Sequence, residues 1–130
     1  MRKETLSVGR RGEDVVCNWL TLRGHRILER NWRYSHQEID IISINPEGLH
    51  IVEVKSRTYP ALAPPEINVD RAKQRNLVKA SGAYLASGKA SAIGGKEMEV
   101  FFDVATVMFG PGEGDFEIEY YPQAFIPLYY

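Results

Sequence analysis

The sequence predicts an α/β domain, a mixed β-sheet flanked by helices, on three observations. Two segments place apolar residues at helical spacing. Two runs rich in Ile and Val flank a four-residue turn. The full set of elements then reads α-β-β-β-α-β-β. With 130 residues the chain is one domain, residues 1–130, able to bury roughly two-thirds of its unfolded surface.

The first helix is predicted over Ser7–Arg23, where Val15, Val16, Trp19, Leu20 and Leu22 crowd one side and Gly24 supplies a stop. Ile27–Trp32 reads as the first strand. Glu38–Ile44 and Leu49–Ser56 flank Asn45-Pro46-Glu47-Gly48 and form a β-hairpin. Thr58–Pro65 holds three prolines and is a loop. Asn68 or Asp70 opens a second helix to about Ser87, with Leu77, Val78, Tyr84 and Leu85 facing inward. After a Gly/Ser/Ala stretch over 87–95, strands are expected at Met98–Phe109 and Phe116–Tyr121, joined by the turn 110–114. The aromatic tail, Pro122–Tyr130, is expected to pack back on the body and makes a homodimer plausible.

Hydrophobic residues at 44% and charged residues at 25% fit an ordinary globular protein. No apolar run approaches the ~20 residues of a bilayer span, and the charged N-terminus is unlike a signal peptide. A single cysteine, Cys17, forms no internal disulfide and reads as a small buried residue of the first helix. A cytoplasmic protein with no membrane role is expected. The net charge of −1 is unevenly distributed: all 16 Lys and Arg lie at or before Lys96, and residues 97–130 hold seven acids and no base. A basic body of this kind can present a positive face to nucleic acid, although solvated surfaces vary as much without function.

The hairpin carries the chemistry. Symmetric pairing about the turn sets Asn45 against Gly48, Ile42 against Ile51, Asp40 against Glu53 and Glu38 against Lys55. Alternation then puts Glu38, Asp40, Glu53 and Lys55 on one face, and Ile39, Ile41, Val52 and Val54 on the other, toward the core. Opposed carboxylates repel, and are retained comfortably if one is protonated or a cation lies between them. Mg²⁺, which takes one or two carboxylates plus water and phosphate, suits the second case. A lysine beside such a pair could orient a water and stabilise a phosphorane, as metal-assisted phosphodiester hydrolysis requires. Acid-x-Lys also occurs on solvated sheet faces, where it makes ion pairs of little energetic worth.

Asp40, a dozen residues and Glu53-x-Lys55 across a hairpin resembles the PD-(D/E)XK nuclease superfamily. A longer string resembles the bacterial YraN-type family, similar in fold to archaeal Holliday-junction resolvases. It comprises Gly9-x-x-Gly12-Glu13, Leu20-x-x-x-Gly24, Ile27-Leu28-x-x-Asn31, Glu38-Ile39-Asp40 and Val52-Glu53-Val54-Lys55-x-Arg57. It continues through Lys73, Ala80 and Tyr84-Leu85 to Phe102-Asp103-Val104 and Ala124-Phe125. The resemblance implies a restriction-endonuclease-like core, with Asp40 and Glu53 as ligands of Mg²⁺ (or Mn²⁺), Lys55 as the catalytic lysine and Glu13 completing the metal site. Arg57 and Lys73 become candidates for phosphate contacts. By itself, Glu13 also reads as a first-turn acid favoured by the helix dipole. Gln37 stands where the family commonly has Gly, and Val78 stands where some superfamily branches have a tyrosine four residues after the helix glutamine, here Gln74.

His36 reads as an exposed turn histidine, and His25 and His50 lack the spacing of zinc ligands. Trp19, Trp32 and the tail tyrosines fit a core or an interface better than base stacking. The implied activity is that of a metal-dependent endonuclease acting on DNA, on branched or otherwise structured DNA. The rival readings are a non-catalytic nucleic-acid- or protein-binding module on the same fold, and an interaction protein using its aromatic tail.

Overall fold

The computed structural model describes residues 2–60, 66–90, 98–112 and 114–127, with side chains from Val8 onward. Parts of the expected loop at 58–65, of the stretch at 87–95, of the turn at 110–114 and of the tail lie outside the described residues. The order is α1 (Arg2–Leu22), β1 (Arg26–Tyr34), β2 (Gln37–Asn45), β3 (Gly48–Thr58), α2 (Arg71–Ala86), β4 (Glu99–Phe109) and β5 (Phe116–Tyr121). This is the predicted α-β-β-β-α-β-β order, with α1 beginning earlier than Ser7 and β5 matching to the residue.

The five strands form one mixed sheet in the order β1-β2-β3-β4-β5. All neighbours are antiparallel except β3 and β4, whose parallel pairing runs from Gly48–Glu99 to Thr58–Phe109. A parallel pair needs a long crossover, and the connection carrying α2 provides it. Asp70 caps α2: its backbone is extended and its side chain accepts from Lys73 N at 2.8 Å. At the end of α1, Gly24 takes φ +90°, and the N–H groups of Gly24 and His25 return to Thr21 O and Leu20 O. That is the glycine-terminated stop the sequence signals.

Both faces of the sheet are covered. Ile42, Ile44, Leu49, Ile51 and Phe102 pack with Leu77, Ala80 and Tyr84 of α2. Ile41, Val52, Ala105, Val107 and Phe109 pack with Val16 and Leu20 of α1. Each fully buried side chain of this size contributes about 1.5–3 kcal/mol. Trp19 and Trp32 pack against these cores rather than standing free, Trp19 stacking on Tyr120 and Trp32 meeting Tyr84 edge-on. Phe125 of the tail stacks on Phe102, and Ala124 N donates to Phe102 O at 2.8 Å, so this part of the tail does pack back. Among the described residues no helix is long and apolar enough to cross a membrane.

Several expectations are corrected. Ile39 leaves the Ile41–Val52–Val54 face and joins the α2-side core beside Trp32, its ladder partner in β1. Residues i and i+2 of a regular strand share a face, so the alternation of β2 is broken at Asp40, next to where its ladder with β3 stops. Leu22, one residue from the helix stop, is 76% exposed, and Leu85 is also exposed where α2 ends. Cys17 is half-buried at the margin of the α1-side core rather than fully buried.

A polar network closes the turn end of the hairpin. Asn45 Oδ1 accepts from the N–H groups of Glu47 and Gly48, which identifies His50 Nε2, 2.9 Å away, as a donor to it. His50 Nδ1 lies 2.7 Å from buried Asp103, which also accepts from the Tyr120 hydroxyl and from Gln123 N. His25, packed edge-on against His50, bonds Ser43 Oγ at 2.9 Å.

Candidate functional site

The candidate site lies at the other end of the hairpin. The expected register holds from Asn45–Gly48 to Ile41–Val52, and the ladder stops there. Asp40–Glu53 and Glu38–Lys55 therefore do not continue it. Instead the Asp40 carboxylate turns across the gap, and Oδ2 accepts from Val54 N at 2.8 Å. A side chain thus takes a backbone donor that a sheet neighbour would otherwise satisfy.

Helix α1 brings Glu13 to the same place. It can approach β3 closely because residue 12 is glycine: a Cβ there would overlap Ser56 Oγ and lie 3.0 Å from Ser56 Cβ. From β1, Asn31 adopts φ 52°, a left-handed conformation that asparagine tolerates better than most residues. Its amide then donates to Glu13 Oε2 at 3.3 Å and Glu38 Oε1 at 2.8 Å. Donor oxygens of Glu13, Glu38 and Asp40 lie within 4.8 Å of one another and form a group that could hold a metal ion.

Burial and neighbouring charges shift the titration of Asp40 and Glu13. Burial, with the Glu53 and Glu13 carboxylates adding to it, pushes Asp40 up to about 7, against the Val54 N–H and the Lys73 ammonium. Burial also raises Glu13, a rise opposed by the Asn31 amide and Arg30 and reinforced by Glu38. Arg30 spans Asp14 at 2.8 Å and Glu13 at 3.7 Å, and Arg33 reaches Glu38 at 3.3 Å.

The basic candidates divide. Lys73, from the first turn of α2, places Nζ 2.7 Å from Glu53 Oε1. Lys55 Nζ points instead to Asn68 O at 3.4 Å. Arg57 is exposed and donates to Ser56 O, while lining a cavity of about 390 Å³ with Val8, Gly9, Glu13, Val54, Ser56 and Thr58. Ser56 Oγ is buried without a hydrogen-bond partner among the described residues. Of the sequence-derived set, Glu13, Asp40 and Glu53 converge electrostatically, but Glu53 is engaged by Lys73 rather than grouped with the three closest carboxylates.

Two contributors, Glu38 and Asn31, had no site role in the sequence reading. Their signals were present: Glu38 stands two residues before Asp40, and an asparagine in the middle of a strand is a candidate for positive φ.

Comparison with known proteins places the chain in a family. Residues 12–107, which span Glu13 to β4, match the sequence profile of Uncharacterised protein family UPF0102. A UPF0102 protein of Anaeromyxobacter dehalogenans is 41% identical over 119 residues, covering 92% of this chain and 84% of that one. One of Bacteroides thetaiotaomicron is 38% identical over 121 residues, covering 92% and 93%. One of Clostridium perfringens is 34% identical over 125 residues, covering 96% and 98%. On the profile match and these relatives, the chain belongs to the UPF0102 family.

Proposed function

We propose that the protein is a metal-dependent endonuclease that hydrolyses DNA phosphodiester bonds, acting on branched or otherwise structured DNA. The observation that carries this reading is the crowding around Asp40. Three carboxylates from α1 and β2 offer oxygens within 4.8 Å, a fourth on β3 adds its repulsion, and burial together with the Glu53 and Glu13 charges raises the Asp40 carboxyl to about 7. An all-oxygen donor set of this charge suits Mg²⁺ or Mn²⁺ and suits zinc poorly. Asp40, Glu13 and Glu53, with Glu38 beside them, are the residues that would hold the ion. Bound there, it would supply an acidified water and charge neutralisation at the phosphate.

The other residues divide the remaining work. Lys55, next but one to Glu53 on β3, orients the attacking water and offsets charge that builds on the phosphoryl oxygens. Arg57 at the cavity rim and Lys73 on α2 contact backbone phosphates, which makes binding strongly salt-dependent. Asn31 and Arg30 hold Glu13 and Glu38 in place through the bonds described above.

The test is cleavage of linear, single-stranded, flapped and four-way DNA with Mg²⁺ or Mn²⁺, comparing the wild type with Lys55→Ala. Metal-dependent cutting lost in the variant supports the reading, and the panel names the preferred structure. Equal cutting by the variant, or no cutting by a folded wild type that binds metal, refutes it.

A further inference from the structure

We infer that Lys73 is an exchangeable counter-ion of the carboxylate site, occupying Glu53 in the metal-free protein and leaving it when a divalent ion binds. The inference rests on the metal-dependent reading and adds a residue that gates it.

Its basis is how the four acids are shared. Glu13 and Glu38 are joined by one amide, that of Asn31, and Asp40 is satisfied by Val54 N. Glu53 is paired with a full positive charge, Lys73 Nζ at 2.7 Å, and only 12% of its side chain is exposed. The lysine therefore supplies a positive charge to the crowded carboxylates, from a side chain that starts at the first turn of α2.

Lysine suits that task. Its ammonium is a compact charge on a four-carbon stem with three donors, so it can change partners without moving its helix. The side chain remains 39% exposed, which leaves it an outlet on the solvent side. A divalent ion recruiting Glu53 competes directly with this ammonium. Once released, the charge lies beside the same site and is free to meet a phosphate. Lys55, whose Nζ contacts the Asn68 carbonyl and among the described residues no carboxylate, plays no such part.

Two measurements test the exchange, both at pH 8 to keep Asp40 ionised. The first is Mg²⁺ and Mn²⁺ affinity by calorimetry for the wild type, Lys73→Met, Lys73→Gln and Lys55→Met, with circular dichroism to establish folding. Removing a competing, partly exposed ion pair worth about 1 kcal/mol tightens metal binding roughly three- to tenfold in both Lys73 variants, and less in Lys55→Met. The second needs no variant. Lysine acylation of the wild type, read by mass spectrometry, rises at Lys73 when saturating Mg²⁺ is added and stays constant at Lys79 on the same helix. Metal binding that is unchanged or weaker in both Lys73 variants, or Lys73 labelling that does not rise with bound metal, overturns the exchange and leaves the nuclease reading standing. Absence of metal binding in every protein, at millimolar concentrations, overturns both.

Discussion

Replacing Asp40 by Asn should stabilise the metal-free protein at neutral pH while abolishing its response to metal. Asp40 ordinarily ionises near 3.8, and here burial and the Glu53 and Glu13 carboxylates raise it to about 7. The unfolded chain releases the proton at the lower value and the native chain keeps it to the higher one, so the native state binds more protons between them. Stability therefore falls as pH rises from about 4 to about 7 and stays low above that. About three pH units at ~1.4 kcal/mol each give roughly 4 kcal/mol as the upper limit of this contribution. Asn is nearly isosteric and its carbonyl oxygen can still accept from Val54 N. The variant should gain roughly 2–4 kcal/mol at pH 8 in EDTA and show a flatter stability profile between pH 4 and 7. Urea unfolding across that range measures both, and a repeat with 10-fold excess Mg²⁺ over its dissociation constant should stabilise only the wild type, by about 1.4 kcal/mol. Equal or lower stability of Asp40→Asn at pH 8 without metal would refute the argument that the carboxylate is held against its own charge.

Other substitutions probe the supports of the site. Gly12→Ala forces a Cβ to 3.0 Å from Ser56 Cβ, and should cost about 1–3 kcal/mol in thermal unfolding, with Ser56→Gly restoring most of it. Asn31→Ala loses two carboxylate hydrogen bonds and a tolerated left-handed conformation, and should weaken metal binding measurably. Asn31→Gly, which relieves only the backbone, should recover stability by about 1 kcal/mol and not the affinity, a split that calorimetry and unfolding can read together. Asp103→Ala strands His50, the Tyr120 hydroxyl and Gln123 N, and should cost roughly 3 kcal/mol or more, while Tyr120→Phe costs about 1. Leu22→Ser, at a 76% exposed position, should stay within about 0.5 kcal/mol of the wild type; a larger loss would show that the residue packs.

The sequence was most informative where chemistry is local. The Asn45–Gly48 turn set the hairpin register, because a four-residue connection leaves one symmetric pairing, and the Asp70 cap and the Gly24 stop are short-range signals. What was not legible arose from tertiary contact. Periodicity marks Ile39 and Ile41 as apolar and puts them on one face, but not that they enter cores on opposite sides of the sheet, which follows from the break in strand alternation at Asp40 beside the end of the β2–β3 ladder. Leu22 fell on the apolar side of the helical pattern yet is 76% exposed at the end of α1. At the site, the resemblance named Glu13, Asp40, Glu53 and Lys55. The Lys73–Glu53 pair and the Asn31 bridge needed the fold, since the first joins α2 to β3 across 20 positions and the second joins α1, β1 and β2.

The unzipped end of the hairpin has a further consequence. Because Val54 N donates to a carboxylate instead of a peptide carbonyl, its amide proton senses directly whether Asp40 carries charge. One resonance in a nitrogen–proton spectrum should thus behave as a built-in electrometer, shifting with acid and with divalent ions before any substrate is present. The cleft's electrical state can be followed from the backbone alone, at an atom that neither the ion nor the nucleic acid has to touch.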